Sequence, residues 1–149
     1  MLEIREVTYQ ELEQCPGFLD VATEYQQETQ NMAIGNPSVQ FERYRELDKL
    51  GRIKCLGAFD GKTLVGLVGV MFARSQHYAF PIASMESFYL RKDYRKGTNG
   101  LRLINAVKDL VRREGAPGLV FMAPPGSTYD VLCEKLGMAH THNAWWCKV

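Results

Sequence analysis

The 149-residue chain lacks a strong excess of either charge, a long apolar run and any pairing pattern among its cysteines. Its 18 Lys+Arg against 17 Asp+Glu leave a net charge of +1, without the basic excess usual in nucleic-acid binders and membrane-surface proteins. The longest apolar run, Leu64 to Ala73, is broken by Gly66 and Gly69 and falls well short of the roughly 20 residues a membrane helix needs. No basic segment followed by an apolar stretch opens the chain, so export is not expected. Cys15, Cys55, Cys133 and Cys147 form no Cys-x-x-Cys pair and no zinc spacing, and read as reduced thiols of a cytoplasmic protein. Repeats, low-complexity tracts and linkers are absent as well, which leaves a single domain over residues 1–149.

What is present is a core and a divided charge. With 46% hydrophobic and 11% aromatic residues the chain is too apolar for disorder. Residues 1–50 hold ten acids against four bases, a net −6, so the remainder carries +7. Leu2 to Val7 alternates with period two and predicts a strand. Two acid-rich helices follow, Phe18 to about Gln30 and Ser38 to Leu50, the second entered through Asn36-Pro37-Ser38 and closed by Gly51. Ile53–Phe59 and Thr63–Ala73 read as a hairpin across Asp60-Gly61, and Met85–Leu90 as a further strand. In Gly100 to Glu114 the period changes: Leu101, Ile104, Val107 and Val111 share a helical face that Leu103, Ala106 and Leu110 widen, as in a helix buried on a sheet. A short strand at Leu119–Ala123, a helix at Thr128–Leu136 ended by Gly137, and a last strand at His140–Val149 complete an α/β (α+β) order of β-α-α-β-β-β-α-β-α-β.

The strand-to-helix junction from Arg91 to Arg102 carries five bases and one acid. Glycines there let the backbone turn with its N–H groups inward, and the positive end of the following helix adds up to about 2 kcal/mol for a well-placed anion. Such a loop suits a pyrophosphate. It is no P-loop, since no Gly-Lys-Ser/Thr follows, and no Gly-x-Gly-x-x-Gly dinucleotide fingerprint.

Met85 to Gly100 resembles the fourth strand and pyrophosphate loop of the GNAT superfamily of acyl-CoA N-acyltransferases, and Val131 to Met138 resembles that family's terminal helix with its Leu-Gly-Phe end. The resemblance extends over essentially the whole chain in element order, and sequences of this shape also resemble acetyltransferases of phages and prophages. The family's loop reads Arg/Gln-x-x-Gly-x-Gly/Ala; Arg95 and Gly100 match, while Thr98 stands at the first glycine and Gly97 one place early. The resemblance implies one GNAT-like domain whose mixed, mostly antiparallel sheet is flanked by helices, with a V-shaped opening between Met85–Leu90 and Leu119–Ala123. It also implies acetyl-CoA as co-substrate, with no metal. Pantetheine would lie against Phe88, Tyr89 and Leu90, adding to the strand edge, and the Leu90 N–H would polarise the thioester oxygen. The pyrophosphate would rest on Arg95, Lys96, Gly97, Thr98, Asn99, Gly100 and Leu101.

The implied reaction moves an acetyl group to a primary amine in a ternary complex. An amine of pKa about 10 must lose a proton before attack, and Glu86, an acid in an apolar strand, is the candidate base; its structural alternative is a carboxylate pairing with neighbouring groups. By alternation Glu86, Phe88 and Leu90 share one face of the strand, Met85, Ser87 and Tyr89 the other. The departing thiolate needs a proton, from Cys133 at the position where the family carries a tyrosine or from Tyr129 one turn earlier; a buried apolar cysteine and a core aromatic are the structural readings of the two. A covalent acyl-Cys133 route is a further alternative. His140 and His142, two apart with no third ligand, do not make a metal site. Trp145 and Trp146 point to opposite faces of the last strand, one into the core and the other toward a surface, which leaves room for a homodimer. The residues from Arg74 to Ile82 form a loop able to shape an acceptor pocket. The acidic first third suits a small-molecule or peptide amine acceptor and argues against nucleic acid there. The competing reading is a catalytically weak acyl-CoA-binding or protein-interaction module, motivated by Thr98 and Cys133.

Overall fold

In the computed structural model, which describes residues 1–149, the chain runs β1 (Glu3–Val7), α1 (Tyr9–Gln14), α2 (Phe18–Thr29), α3 (Phe41–Lys49), β2 (Ile53–Asp60), β3 (Thr63–Arg74), β4 (Pro81–Leu90), one 3-10 turn (Lys92–Tyr94), α4 (Asn99–Arg113), β5 (Leu119–Val120) and α5 (Thr128–Lys135). The five strands form one sheet in the order β1-β2-β3-β4-β5, antiparallel except for the parallel pair β4–β5. This is the expected mixed α+β sheet flanked by helices.

β2 and β3 are nearly continuous apolar runs because both faces of the sheet are covered. On one face Leu56, Ala58, Val65, Val68, Val70, Ala83, Phe88 and Leu90 pack against α4 and α5. On the other, Ile53, Cys55, Phe59, Leu64, Leu67 and Tyr89 pack against α1, α2 and α3. Burial pushes the Cys55 thiol up to about 12, as expected of a thiol serving as core. The wide arc predicted for α4 is found: Leu103, Ile104, Val107, Leu110 and Val111 are all buried, each contributing about 1.5–3 kcal/mol. Leu101, in the first turn of α4, is the exception at 45% exposed.

Several expectations are corrected. A short helix, α1, precedes the first long one; Thr8 and Glu11 close a capping box around its first turn, a Thr-x-x-Glu signal visible in the sequence. α3 starts at Phe41, three residues after Ser38, on a Gln40 cap whose side chain makes no capping bond to the helix. β4 begins at Pro81, where a missing N–H is tolerated at a strand's first residue, so the connecting loop shrinks to six residues, 75–80. β5 is two residues long. The strand expected at His140–Val149 is not formed: the segment has no regular structure, and an apolar, aromatic run alone supplies no edge to pair with. Trp145 (90%) and Trp146 (61%) are both exposed, so neither enters the core.

The most consequential correction concerns β4. Gly69 lies opposite Ser87 and Val70 opposite Met85, so Glu86 has no partner and bulges out of the ladder. Met85 therefore shares the buried face of Phe88 and Leu90. The Glu86 side chain turns to the opposite face, toward α3.

Candidate active site

The bulge and the short β5 together expose one edge of β4. β5 pairs only with Ala83 and Ser84, and from Glu86 onward β4 has no strand on that side. The hydrogen bond from Arg91 N–H to Val65 O sets the phase of the ladder, so the carbonyls of Glu86, Phe88 and Leu90 point away from β3 toward the open edge. Each is met by a side chain. The Tyr25 hydroxyl of α2 donates to Glu86 O at 3.2 Å, the Tyr129 hydroxyl of α5 donates to Phe88 O, and Arg95 Nε donates to Leu90 O at 2.6 Å. Two helices distant in sequence and the loop that follows β4 thus converge on one strand edge.

Glu86 is exposed, and its Oε1 accepts the Tyr44 hydroxyl of α3 at 2.9 Å. Burial first, then the neighbouring Glu86 carboxylate, push the Tyr44 phenol well above its usual range and keep it protonated as a donor. Tyr44 is itself held by stacking on Tyr9 at 5.0 Å. A cleft of about 410 Å³ opens here, lined by residues from 37–40, α3, Met71 and Glu86.

Tyr129 lies against the Phe88 ring edge-on at 5.5 Å, and burial drives its phenol far above the ordinary tyrosine value. Cys133 is one turn further along α5 and half-buried; burial and then Asp130 raise its thiol. The core-facing row of α5 is Tyr129, Leu132 and Leu136, which leaves Cys133 beside that row. Of the two proton-donor candidates, the structure brings Tyr129 to the edge of β4.

The basic loop is clasped by α2. Glu28 accepts two bonds from Arg95, both at 2.8 Å, and Glu24 pairs with Arg91 at 2.8 Å while also accepting the Tyr89 hydroxyl at 3.2 Å. The Arg95 guanidinium lies 5.0 Å over the Tyr89 ring, and its hydrogen bond holds the Glu28 carboxyl below its usual range. Arg95 and Tyr89 thus secure the loop. Lys92 and Lys96 form no ion pair, and the backbone N–H groups of Gly97, Thr98, Gly100 and Leu101 make no hydrogen bond within the chain. Gly97 adopts φ 55°, the left-handed turn that presents them, while the Asn99 side chain ties back to Tyr94 O at 3.0 Å. This donor set fits a pyrophosphate at the head of α4.

Sequence reasoning missed Tyr25, Tyr44, Glu24 and Glu28. The acids carried a signal: Glu24 and Glu28 are four apart on a helix and meet Arg91 and Arg95, also four apart. The tyrosines carried none, since each reaches β4 across more than forty residues. His140 and His142 sit exposed in the C-terminal segment. No group of three His, Cys, Asp or Glu side chains is placed to hold a metal ion, and no helix is long and apolar enough to cross a membrane.

No protein-family model matches the chain, and no curated protein is found as a relative. Solved structures do match. A ribosomal-protein-alanine N-acetyltransferase from Brucella melitensis biovar Abortus 2308 is 17% identical with a TM-score of 0.76, covering 99% of both chains. A GCN5-related N-acetyltransferase from Ralstonia eutropha JMP134 is 14% identical with a TM-score of 0.75, again over 99% of both chains. AAC(6')-Iy, solved with the bisubstrate analogue CoA-S-monomethyl-acetylneamine, is 14% identical with a TM-score of 0.74, over 100% of this chain and 98% of its own. The fold is therefore that of the GNAT superfamily, and its structural neighbours are acetyltransferases.

Proposed function

We propose that residues 1–149 act as a single acetyl-CoA-dependent N-acetyltransferase domain that acetylates a primary amine in a ternary complex. The observation that carries this reading is continuity: the open edge of β4 leads directly into a loop whose N–H groups at Gly97, Thr98, Gly100 and Leu101 are free. An amide-bearing arm can add to such an edge while its pyrophosphate meets the loop. The carbonyls of Phe88 and Leu90 are already engaged by Tyr129 and Arg95, so the arm pairs first with the N–H groups of Phe88 and Leu90, on the same edge.

Acetyl-CoA supplies the activated acetyl thioester. Glu86, held by Tyr44, takes the proton of the acceptor amine, directly or through a water. In this reading the Leu90 N–H polarises the thioester oxygen of the arm that lies along this edge. A C–N bond forms and the C–S bond breaks; the Tyr129 hydroxyl, released from Phe88 O, donates a hydrogen bond to the departing thiolate, which takes its proton from solvent while Glu86 returns to solvent the proton taken from the amine. Because its phenol is shifted upward, Tyr129 acts chiefly by hydrogen bonding to that sulfur.

The test is calorimetric titration with acetyl-CoA followed by thiol release with a panel of amines. Coenzyme binding with amine-dependent release is the expected result. Tight binding with no release for any amine would replace the transferase by an acyl-CoA-binding module, and no binding would remove both.

A further inference from the structure

The acidic character of residues 1–50 invites the expectation of a cationic acceptor, but none of those acids lines the cleft. Glu13 is taken by Arg45, Glu24 by Arg91 and Glu28 by Arg95, and Asp48 accepts the Tyr9 N–H. Only two charged side chains line the 410 Å³ cleft, Glu86 on β4 and Arg43 on α3. The rest of the lining is uncharged: Pro37, Val39, Leu47 and Met71 are apolar, and Ser38, Gln40 and Tyr44 offer neutral polar groups. A second ammonium on the acceptor would find no second carboxylate in this lining and would face the like charge of Arg43, which opposes binding.

Arg43 is available to a ligand. Its partner is Glu46 at 3.2 Å, three residues away on the same exposed helix face, and a pair of that kind contributes little. A ligand carboxylate can therefore take its place at small cost, with the bidentate geometry a guanidinium favours. A volume of 410 Å³ corresponds to a space on the order of 9 Å across, room for a small molecule with its charged groups well separated.

We infer that the acceptor is a zwitterionic monoamine: a primary amine and a carboxylate at opposite ends of an apolar body, the amine at Glu86 and the carboxylate at Arg43. This rests on the transferase reading of the same cleft and names its substrate class.

Three probes separate the terms: 6-aminohexanoate carries both charges, hexylamine the amine alone, and spermidine several amines. Each is titrated into coenzyme-free protein while the Met71 methyl resonance is followed, and each is then offered with acetyl-CoA while thiol release is measured. The expected result is an Arg43-dependent shift of Met71 by 6-aminohexanoate and a kcat/KM about tenfold above hexylamine, with spermidine lowest. In Arg43→Ala the ratio of 6-aminohexanoate to hexylamine falls toward one in both measurements. Preference for spermidine, or a ratio unchanged in Arg43→Ala, overturns the inference and leaves the transferase standing. Coenzyme binding without turnover of any amine, beside an intact Arg43-dependent shift of Met71, does the reverse.

Discussion

Replacing Glu86 by Gln removes a proton acceptor while leaving most of the local structure in place. The residue's backbone carbonyl still accepts the Tyr25 hydroxyl, and the amide oxygen of Gln can accept the Tyr44 hydroxyl now bound at 2.9 Å. Glu86 is exposed, so the loss of charge carries no desolvation change, and the stability difference should stay within about 1 kcal/mol. The coenzyme edge is likewise untouched, and affinity for acetyl-CoA should be unchanged. Turnover is different. A positioned base contributes about 10²–10⁴-fold, roughly 3–5 kcal/mol of barrier. An amine of pKa about 10 is only about 0.1% neutral at pH 7, so without the base the variant depends on the amine's own deprotonation. Steady-state thiol release between pH 6.5 and about 9 should show a wild-type kcat/KM that is nearly flat and a Glu86→Gln profile that rises about tenfold per pH unit from a much lower start. A variant within about threefold of wild type, with the same pH profile, would refute the assignment.

Tyr129→Phe keeps the ring on Phe88 and removes only the hydroxyl; kcat should fall about a hundredfold with coenzyme affinity maintained. A loss confined to Cys133→Ala would transfer the donor role to the cysteine. Glu28→Gln tests the clasp through urea unfolding. Arg95 lowers the Glu28 pKa, so the stabilisation is fully present above the ordinary glutamate value near about 4.3 and is lost as pH falls through the lowered one. Wild type and variant should differ at pH 7 and converge in acid; an equal difference at both would reject the pairing. Leu110→Ala, at a fully buried position of α4, should cost about 2–5 kcal/mol by urea denaturation with little change in coenzyme affinity, and a cost under about 1 kcal/mol would contradict the packing described.

The elements that could be read directly from the chain were those whose periodicity coincides with burial. α4 shows a 3.6-residue repeat because one broad face meets the sheet, and β2 and β3 show continuous apolar runs because two faces are covered. The bulge at Glu86 could not be read that way. Period-two counting assumes an unbroken ladder, and a single unpaired residue moves Met85 to the face of Phe88 and sends Glu86 to the face of Tyr44. Glu86 stands out in the sequence as an acid in an apolar strand, and the bulge puts it on the face opposite to the one alternation assigns. The terminal strand failed for a different reason: His140 to Val149 carries the apolar and aromatic run Ala144 to Cys147, yet pairing is a property of an available edge, which local composition does not describe.

The charge division along the chain acquires a different meaning from the one composition suggested. Two of the five bases in the loop are already balanced by α2, so Arg91 and Arg95 shape the loop, and the anion is left to backbone N–H groups together with Lys92 and Lys96. These roles separate experimentally. Lys96→Ala removes an exposed charge without a partner, worth about 0.3–1 kcal/mol at such a site, so acetyl-CoA affinity should fall about two- to fivefold, more at low salt than at high, with unfolding unchanged. Arg95→Ala removes the bidentate bond to Glu28, the bond to Leu90 O and the stacking on Tyr89 together, and leaves the Leu90 carbonyl without its donor. Its first effect should therefore be on stability and on the path of the loop, and the factor by which coenzyme binding weakens should be the same at low and high salt. If Arg95→Ala instead leaves urea unfolding unchanged and weakens acetyl-CoA binding more at low salt than at high, the arginine carries the phosphate itself and the clasp by α2 is incidental.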